Sequence, residues 1–271
     1  MRNIVAHPAE RNAGRDLLEE IADHMGKLLP PDLEGYGLAS RDRVRAGSEH
    51  PVRILADQAA TLLGAGLFDL YVHHMRGRGA IVENTEPYAV IVPAGLLEVG
   101  ESEQLYVLGR LMSRIATKTF LVDKLTAREL EVHLAAATRL VVPGFGEGLI
   151  SDEYLEDRAK RIGRALSRKS RKAIETLART YAAAPAIDFP AWVRAMERTA
   201  NRAGLLVCED IGTALEHIKR NDKELAGLPM TTTQEMVGCL RRSDAVVDLL
   251  RFLLSDDHAT LRASLGLALQ G

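Results

Sequence analysis

The spacing of apolar residues predicts that the chain begins with a helical segment. Leu17, Ile21, Met25 and Leu28 recur at steps of three and four residues. This is the period of an amphipathic helix, which we expect over residues 16–29. Two prolines follow directly and end it, because proline cannot continue a helical hydrogen-bond pattern.

A second helix and a group of short extended runs follow. Pro51 suits the first helical position, and apolar spacing predicts a helix from there to Leu63. Glycines and turn-forming residues then separate three runs, which predict a small antiparallel sheet: Leu67–His74, Ala80–Glu83 and Tyr88–Val92. The remainder predicts helices near residues 102–118, 126–139, 152–181, 190–203, 210–220, 233–254 and 257–268.

Composition supports the same fold class. Aromatic residues make up only 4% of the 271 residues, and leucine and alanine are abundant, which favours packing of helix against helix. We therefore predict a mainly α (α+β) fold. Residues 1–49 form an N-terminal helix and connector in this interpretation, and residues 50–271 form a helical domain.

Charge and cysteine content indicate an ordinary cytoplasmic protein. The net charge of -2 gives no overall field that would attract nucleic acid or an anionic membrane. The longest apolar run, residues 88–97, is far shorter than the roughly 20 residues that span a bilayer. Cys208 and Cys239 are distant and lack CxxC spacing, so a reducing compartment fits.

Motifs for common chemistry are missing from the sequence. None of the eight histidines lies three or four residues from another, so no predicted helix carries a metal-binding pair on one face. The nucleophile elbow, the P-loop and the dinucleotide fingerprint are also missing. The sequence therefore predicts neither a metal nor a cofactor.

Residues 158–172 concentrate positive charge in a predicted helix. Such a helix can bind phosphate backbones or acidic partners. A solvated face is the favoured interpretation, since an apolar stripe accounts for helix burial and Asp152, Glu153, Glu156 and Asp157 lie upstream to meet the basic residues.

Two segments resemble the HtpX-type zinc metallopeptidases of the gluzincin group. The strand and turn at Tyr88–Glu98 end in the letters GLLE, and a helix at Glu103–Ile115 follows. In that family the helix that follows the GLLE segment carries the zinc-binding HExxH motif. The resemblance covers roughly residues 50–268, with a weaker likeness at residues 250–265 to the closing segment of the peptidases.

The HExxH motif itself is replaced. At its position stand Arg110, Leu111 and Arg114, so arginine occupies both ligand positions and leucine occupies the position of the catalytic glutamate. Arginine keeps its proton in a protein and has no lone pair to offer a metal ion. The resemblance therefore implies an inactive enzyme that binds no zinc.

A second helix of the family supplies the third ligand through an ExxxD motif. Residues 192–206 are similar to it and place Glu197 on the ligand position and Asn201 on the aspartate position. Arg110 or Arg114 can then pair with Glu197, so that a charge-assisted hydrogen bond replaces the metal bridge. The competing interpretation is that both arginines face solvent and Glu197 pairs with Arg194 on its own helix.

The resemblance implies a protein-binding role of the inactive scaffold. It also extends to degenerate versions of this domain at the ends of bacterial repeat-containing regulatory proteins. A partner strand is expected to add along Tyr88, Val90 and Val92, or along the neighbouring residues 80–83. The identity of the protein partner and the oligomeric state stay open.

Three alternatives stand beside this interpretation. One is an enzyme of different chemistry that uses His73, His133 or Cys208. Another is binding of nucleic acid or an acidic partner by residues 158–172. The last is a subunit of a larger assembly.

Overall fold

A computed structural model describes residues 5–222, 225–229 and 231–267 of the chain. It is mainly helical with one small mixed sheet of four strands, which confirms the predicted fold class. Among the described helices, none is long and apolar enough to cross a membrane.

The sheet differs from the expected antiparallel arrangement in its central pair. Its strands are β1 (Arg43–Val44), β2 (Phe68–His73), β3 (Ile81–Glu83) and β4 (Tyr88–Pro93), in the order β1-β2-β4-β3. β1 pairs with β2 and β3 with β4 in antiparallel fashion, whereas β2 and β4 are parallel. β3 takes the edge position, and β4, which is antiparallel to β3, lies between β3 and β2. The chain therefore crosses from β2 to the edge before it comes back as β4, parallel to β2.

The helices follow the predicted positions with three corrections. The first helix, predicted over residues 16–29, ends at Ala22, and a separate 3₁₀ helix follows at Met25–Lys27. They are α1 (Ala13–Ala22), α2 (Pro51–Leu63), α3 (Glu101–Thr117), α4 (Ala127–Arg139), α5 (Asp152–Ala165), α6 (Arg168–Ala183), α7 (Phe189–Cys208), α8 (Ile211–Asn221), α9 (Thr233–Leu240), α10 (Asp244–Leu253) and α11 (Asp256–Ser264). The single helices predicted over residues 152–181 and 233–254 are each two helices. Ser167 and Ser243 begin the second member of each pair, because each side-chain oxygen accepts a backbone N–H three residues on.

Helices α3 and α7 form the centre of the core and approach closely at two glycines. A Cβ atom added to Gly204 would lie 2.8 Å from the carbonyl oxygen of Tyr106, and one added to Gly109 would lie 3.0 Å from the Cα atom of Gly204. Side chains of ordinary size would separate the helix axes here. The two glycines therefore let the two helix faces meet.

The N-terminal segment shares this core. Leu17, Leu18 and Ile21 of α1 are buried in the same hydrophobic cluster as α3 and α7. Glu10 is fully buried, and its carboxylate pairs with Arg15 at 2.8 Å and accepts a hydrogen bond from the Thr199 hydroxyl of α7. Buried contacts therefore cross the boundary that the sequence predicted at residue 49.

The predicted connector covers the outer face of the sheet. Tyr36 and Leu38 pack against Tyr71, Ala89 and Ile91 in a second hydrophobic cluster, and the connector also supplies β1. As a result β4 is covered on both faces, with its even-numbered valines in the main core.

Candidate functional site

The crossing of α3 and α7 joins the residues that the sequence analysis paired. Guanidinium nitrogens of Arg110 and Arg114 each donate to one carboxylate oxygen of Glu197. Both arginines lie on one face of α3 because four residues make about one helical turn. The structure thus places both guanidinium groups, rather than one, on Glu197, and the expectation that they face solvent is wrong.

Arg114 is held from a second side by Asp123. Its side chain is only 4% exposed, and its Nη2 atom lies 3.1 Å from Asp123 Oδ1 as well as against Glu197. Burial raises the pKa of Asp123, and the Arg114 charge opposes this without cancelling it. The two arginines and two carboxylates make a compact ionic cluster between the two helices.

Glu197 lies at the edge of this cluster and faces solvent in part. Its side chain is 42% exposed, although the surrounding helices remove much of its hydration. Burial by itself would raise the pKa of Glu197, but Arg110 and Arg114 outweigh burial and hold it below its ordinary value. Glu197 is therefore an anion at neutral pH.

A histidine from α8 completes the cluster. His217 Nε2 lies 3.0 Å from Arg110 Nη1, and its ring packs against Tyr106 at a centroid distance of 4.9 Å. Because a guanidinium can only donate, Nε2 accepts and the proton of the neutral ring is on Nδ1. Burial, followed by the charges of Arg110 and Arg220, lowers the pKa of His217 to about 4.

Asn201 does not contact the arginines. Its side-chain oxygen lies 3.1 Å from the Tyr106 hydroxyl, which donates the hydrogen bond. Arg194, the alternative partner of Glu197, is exposed and forms no ion pair with it. Asn201 thus orients a tyrosine one turn before Arg110.

A cleft opens beside the cluster. It has a volume of about 410 Å³ and is bounded by the approach to β3, the turn after β4, α3 and α8. Leu111 is 6% exposed and contributes an apolar patch to its wall. A second hollow of about 740 Å³ lies on the far side of Arg110 and His217, between α7, α8 and the start of α10.

The strand predicted to receive a partner is not free. β4 has β2 on one side and β3 on the other, so Tyr88, Val90 and Val92 cannot accept a further strand. Val90 and Val92 are also fully buried in the main core. The neighbouring strand β3 forms that edge of the sheet, and the residues before it, Gly79 and Ala80, line the cleft.

The residues considered for other chemistry do not converge. His73 lies on β2 against the Tyr36 ring, His133 lies on α4 with its Nδ1 atom 2.6 Å from the Glu129 carbonyl oxygen, and Cys208 ends α7. Burial raises the pKa of the Cys208 thiol to about 11, so it is protonated at neutral pH. No group of three His, Cys, Asp or Glu side chains suited to a metal ion occurs among the described residues.

Sequence reasoning missed Asp123, His217 and Tyr106. Tyr106 lies one turn before Arg110 on the same helix face, so helical spacing could have identified it. Asp123 follows α3 in a short 3₁₀ helix and His217 lies on the helix after α7, and no local motif marks either. Only the packing of these elements brings them to the cluster.

Comparisons of the chain with protein-family models, with curated proteins and with solved structures found no match.

Proposed function

We propose that this chain is a catalytically inactive, metallopeptidase-like protein of the cytoplasm whose cleft binds a segment of a partner protein. The observation that carries the proposal is the convergence of Arg110 and Arg114 on Glu197 across the α3–α7 crossing. The resemblance assigns zinc ligands to these three positions. If an ionic cluster replaces the metal ion at such a site, the side chains on the ligand positions contact one another directly, as these three do.

The cluster is chemically unsuited to zinc. Zn²⁺ binds side chains that offer a lone pair, and each guanidinium offers only donors and a positive charge. Both oxygens of Glu197 already accept hydrogen bonds from the arginines. A zinc ion would have to displace both guanidinium groups before it could reach a carboxylate of the cluster.

The cleft has the composition of a recognition surface for an extended chain. Apolar side chains of Leu96, Val99, Val107 and Leu111 form its wall, and polar groups of α8 face them. Edge strand β3 runs from the cleft entrance and has a strand neighbour on one side only. A partner strand that pairs with the β3 edge would gain backbone hydrogen bonds there and side-chain contacts in the cleft.

Restoring the missing ligands tests the scaffold. In R110H/L111E/R114H, two histidines four residues apart would face Glu197 and form a three-ligand site for zinc. We expect this variant to bind one zinc ion by elemental analysis and to melt at a higher temperature with added zinc, since a specific ligand stabilises the folded state. The unaltered protein should show neither effect.

Adding Glu197→Gln to that variant is the matched control. It removes the third ligand and retains the two histidines, so zinc affinity should fall by at least about tenfold. A folded R110H/L111E/R114H protein that binds no zinc would refute the peptidase-like arrangement. Stoichiometric zinc in the unaltered protein would refute the inactive assignment.

Binding without cleavage tests the second half of the proposal. Fluorescently labelled β-casein, a largely unfolded protein, is a suitable probe for a site that accepts extended chains. We expect a rise in fluorescence anisotropy and intact casein on gels. Ala80→Pro, which removes a backbone donor beside β3, should weaken binding. Gly238→Ala on α9, which meets open space and does not line the cleft, should leave binding unchanged. Equal binding by all three proteins, or none by any, would refute the strand-addition site.

A further inference from the structure

Helices α5 and α6 present a basic face that the proposed function does not use. Between Asp157 and Glu175 the chain has no acidic residue. Seven basic side chains in this stretch are exposed and define the basic face: Lys160, Arg161, Arg164, Arg168, Lys169, Arg171 and Lys172. Their charge is concentrated on two consecutive helices of a chain whose net charge is only -2.

The upstream acidic residues do not neutralise this face. Asp152 and Glu156 pair instead with the buried Arg139 of α4, at 2.9 Å and 3.6 Å. Among the described residues, none of the seven basic side chains forms an ion pair. The sequence-based expectation that Asp152 and Glu156 meet the basic face is therefore wrong for these two residues.

An apolar groove lies within the basic face. It has a volume of about 420 Å³ and is lined by the end of α4, by α5 and by α6. Leu140, Val141, Leu166 and Ile174 line it with apolar surface, and Leu140 is 40% exposed. Gly163 keeps the groove open at Leu140, because an added Cβ would lie 3.1 Å from a Leu140 methyl carbon.

Three basic side chains and one acidic side chain complete the lining. Lys160, Arg164 and Arg171 border the apolar surface, together with Glu175. Lys160 and Arg164 are four residues apart and thus lie on one side of α5. The lining combines an apolar floor with a net positive border.

We propose that this groove binds an acidic amphipathic segment of a partner protein, which would place apolar side chains on the floor and carboxylates against the basic border. The pattern fits the recognition of a helix by a groove, in which apolar anchors give affinity and charges set the orientation. Nucleic acid fits less well. The groove lining contains no aromatic side chain on which a base would stack, and its apolar floor has no counterpart in a phosphate backbone.

A labelled model peptide tests this site on the full-length protein. The probe is a fluorescein-labelled helical peptide of about 18 residues, with leucine along one face and glutamate along the other. A polyglutamate of equal length and a DNA duplex of comparable charge are the competing ligands. We expect the amphipathic peptide to bind more tightly than either, with affinity that falls between about 0.05 M and about 0.2 M NaCl.

Two charge-reversal variants localise the binding. K160E/R164E/R171E reverses the border of the groove and should weaken binding by about tenfold or more, since three ion pairs are lost and replaced by repulsion. R161E/R168E/K172E makes the same charge change on the basic face outside the groove lining, and we expect an effect of less than about threefold. Both variants alter exposed side chains, and circular dichroism checks that they fold.

A third variant separates apolar anchoring from charge alone. Leu140→Ser shortens an exposed part of the floor and should weaken the amphipathic peptide but leave polyglutamate unchanged. The proposal is overturned if DNA binds more tightly than the peptide, if both charge-reversal variants lose affinity equally, or if the peptide does not bind.

Discussion

Replacing Glu197 with glutamine removes the negative charge that contacts both guanidinium groups of α3. Glutamine has the same shape and keeps one acceptor oxygen, so the substitution changes charge with little change in packing. After it, Arg114 retains the Asp123 carboxylate at 3.1 Å, while Arg110 contacts only neutral groups, among them His217 and the Tyr106 ring. Two cations then share one carboxylate.

The expected loss of stability follows from burial. Breaking a fully buried ion pair costs about 3–5 kcal/mol, and an exposed pair contributes less than about 1 kcal/mol. Arg114 is 4% exposed but Glu197 is 42% exposed, so the pair lies between these limits. We expect Glu197→Gln to lower the free energy of unfolding by about 1–2 kcal/mol, which corresponds to a fall in melting temperature of about 2–4 °C.

Thermal unfolding at several pH values measures the effect. The pKa of Glu197 is below its ordinary value of 4.5, so its contribution is complete above that pH and is lost as the pH falls through the lowered value. The melting temperatures of the two proteins should therefore differ at pH 7 and converge in acid. Glu216→Gln, which alters an exposed glutamate, is the control. A Glu197→Gln protein as stable as the unaltered protein at pH 7 would show that the cluster makes no net contribution.

Three further predictions test the supports of the site by thermal or denaturant unfolding. Gly204→Ala should lower the free energy of unfolding by about 1–3 kcal/mol, because its Cβ would lie 2.8 Å from the carbonyl oxygen of Tyr106. Gly95→Ala, whose Cβ meets open space, should have almost no effect. Similar effects of both substitutions would refute the close approach of α3 and α7. Glu10→Gln should lower the free energy of unfolding by about 2–4 kcal/mol, because it leaves the partly buried Arg15 without its carboxylate partner. A loss below about 0.5 kcal/mol would show that the Glu10–Arg15 pair does not stabilise the fold. His217→Gln should reduce the loss of stability in acid, because burial lowers the pKa of His217 from 6.5 to about 4. The contribution of the neutral histidine to stability is complete above pH 6.5 and is lost as the pH falls toward 4. Parallel pH profiles of the two proteins would refute this.

Most helices could be predicted because their burial pattern is local. The period of apolar residues in α3 and α7 places Leu108 and Met196 inward whatever the neighbouring helix is. The breaks within residues 152–181 and 233–254 were missed because apolar spacing continues across them, and a single serine cap decides where a new helix begins. Strand order was also missed, since a run such as Tyr88–Pro93 is equally apolar at an edge and in the middle of a sheet.

The candidate site was predictable only in part, for a comparable reason. The resemblance to a peptidase motif selected Arg110, Arg114 and Glu197, and the structure brings these three together. It gave no indication of Asp123 or His217, whose positions depend on how separate elements pack. The same packing rules out β4 as the receiving strand and leaves the predicted alternative, β3, at an edge of the sheet.

The sequence by itself determined the mainly helical class and the spacing of Arg110 and Arg114 on one helix face, because residue type and local spacing suffice for both. Tertiary structure decided which charges meet. It turned Arg110, Arg114, Glu197 and Asp123 into one cluster, and it paired Asp152 and Glu156 with Arg139 instead of with the basic face of α5 and α6. Charge contacts act over a few ångströms, so they depend on distances between elements far apart in the chain.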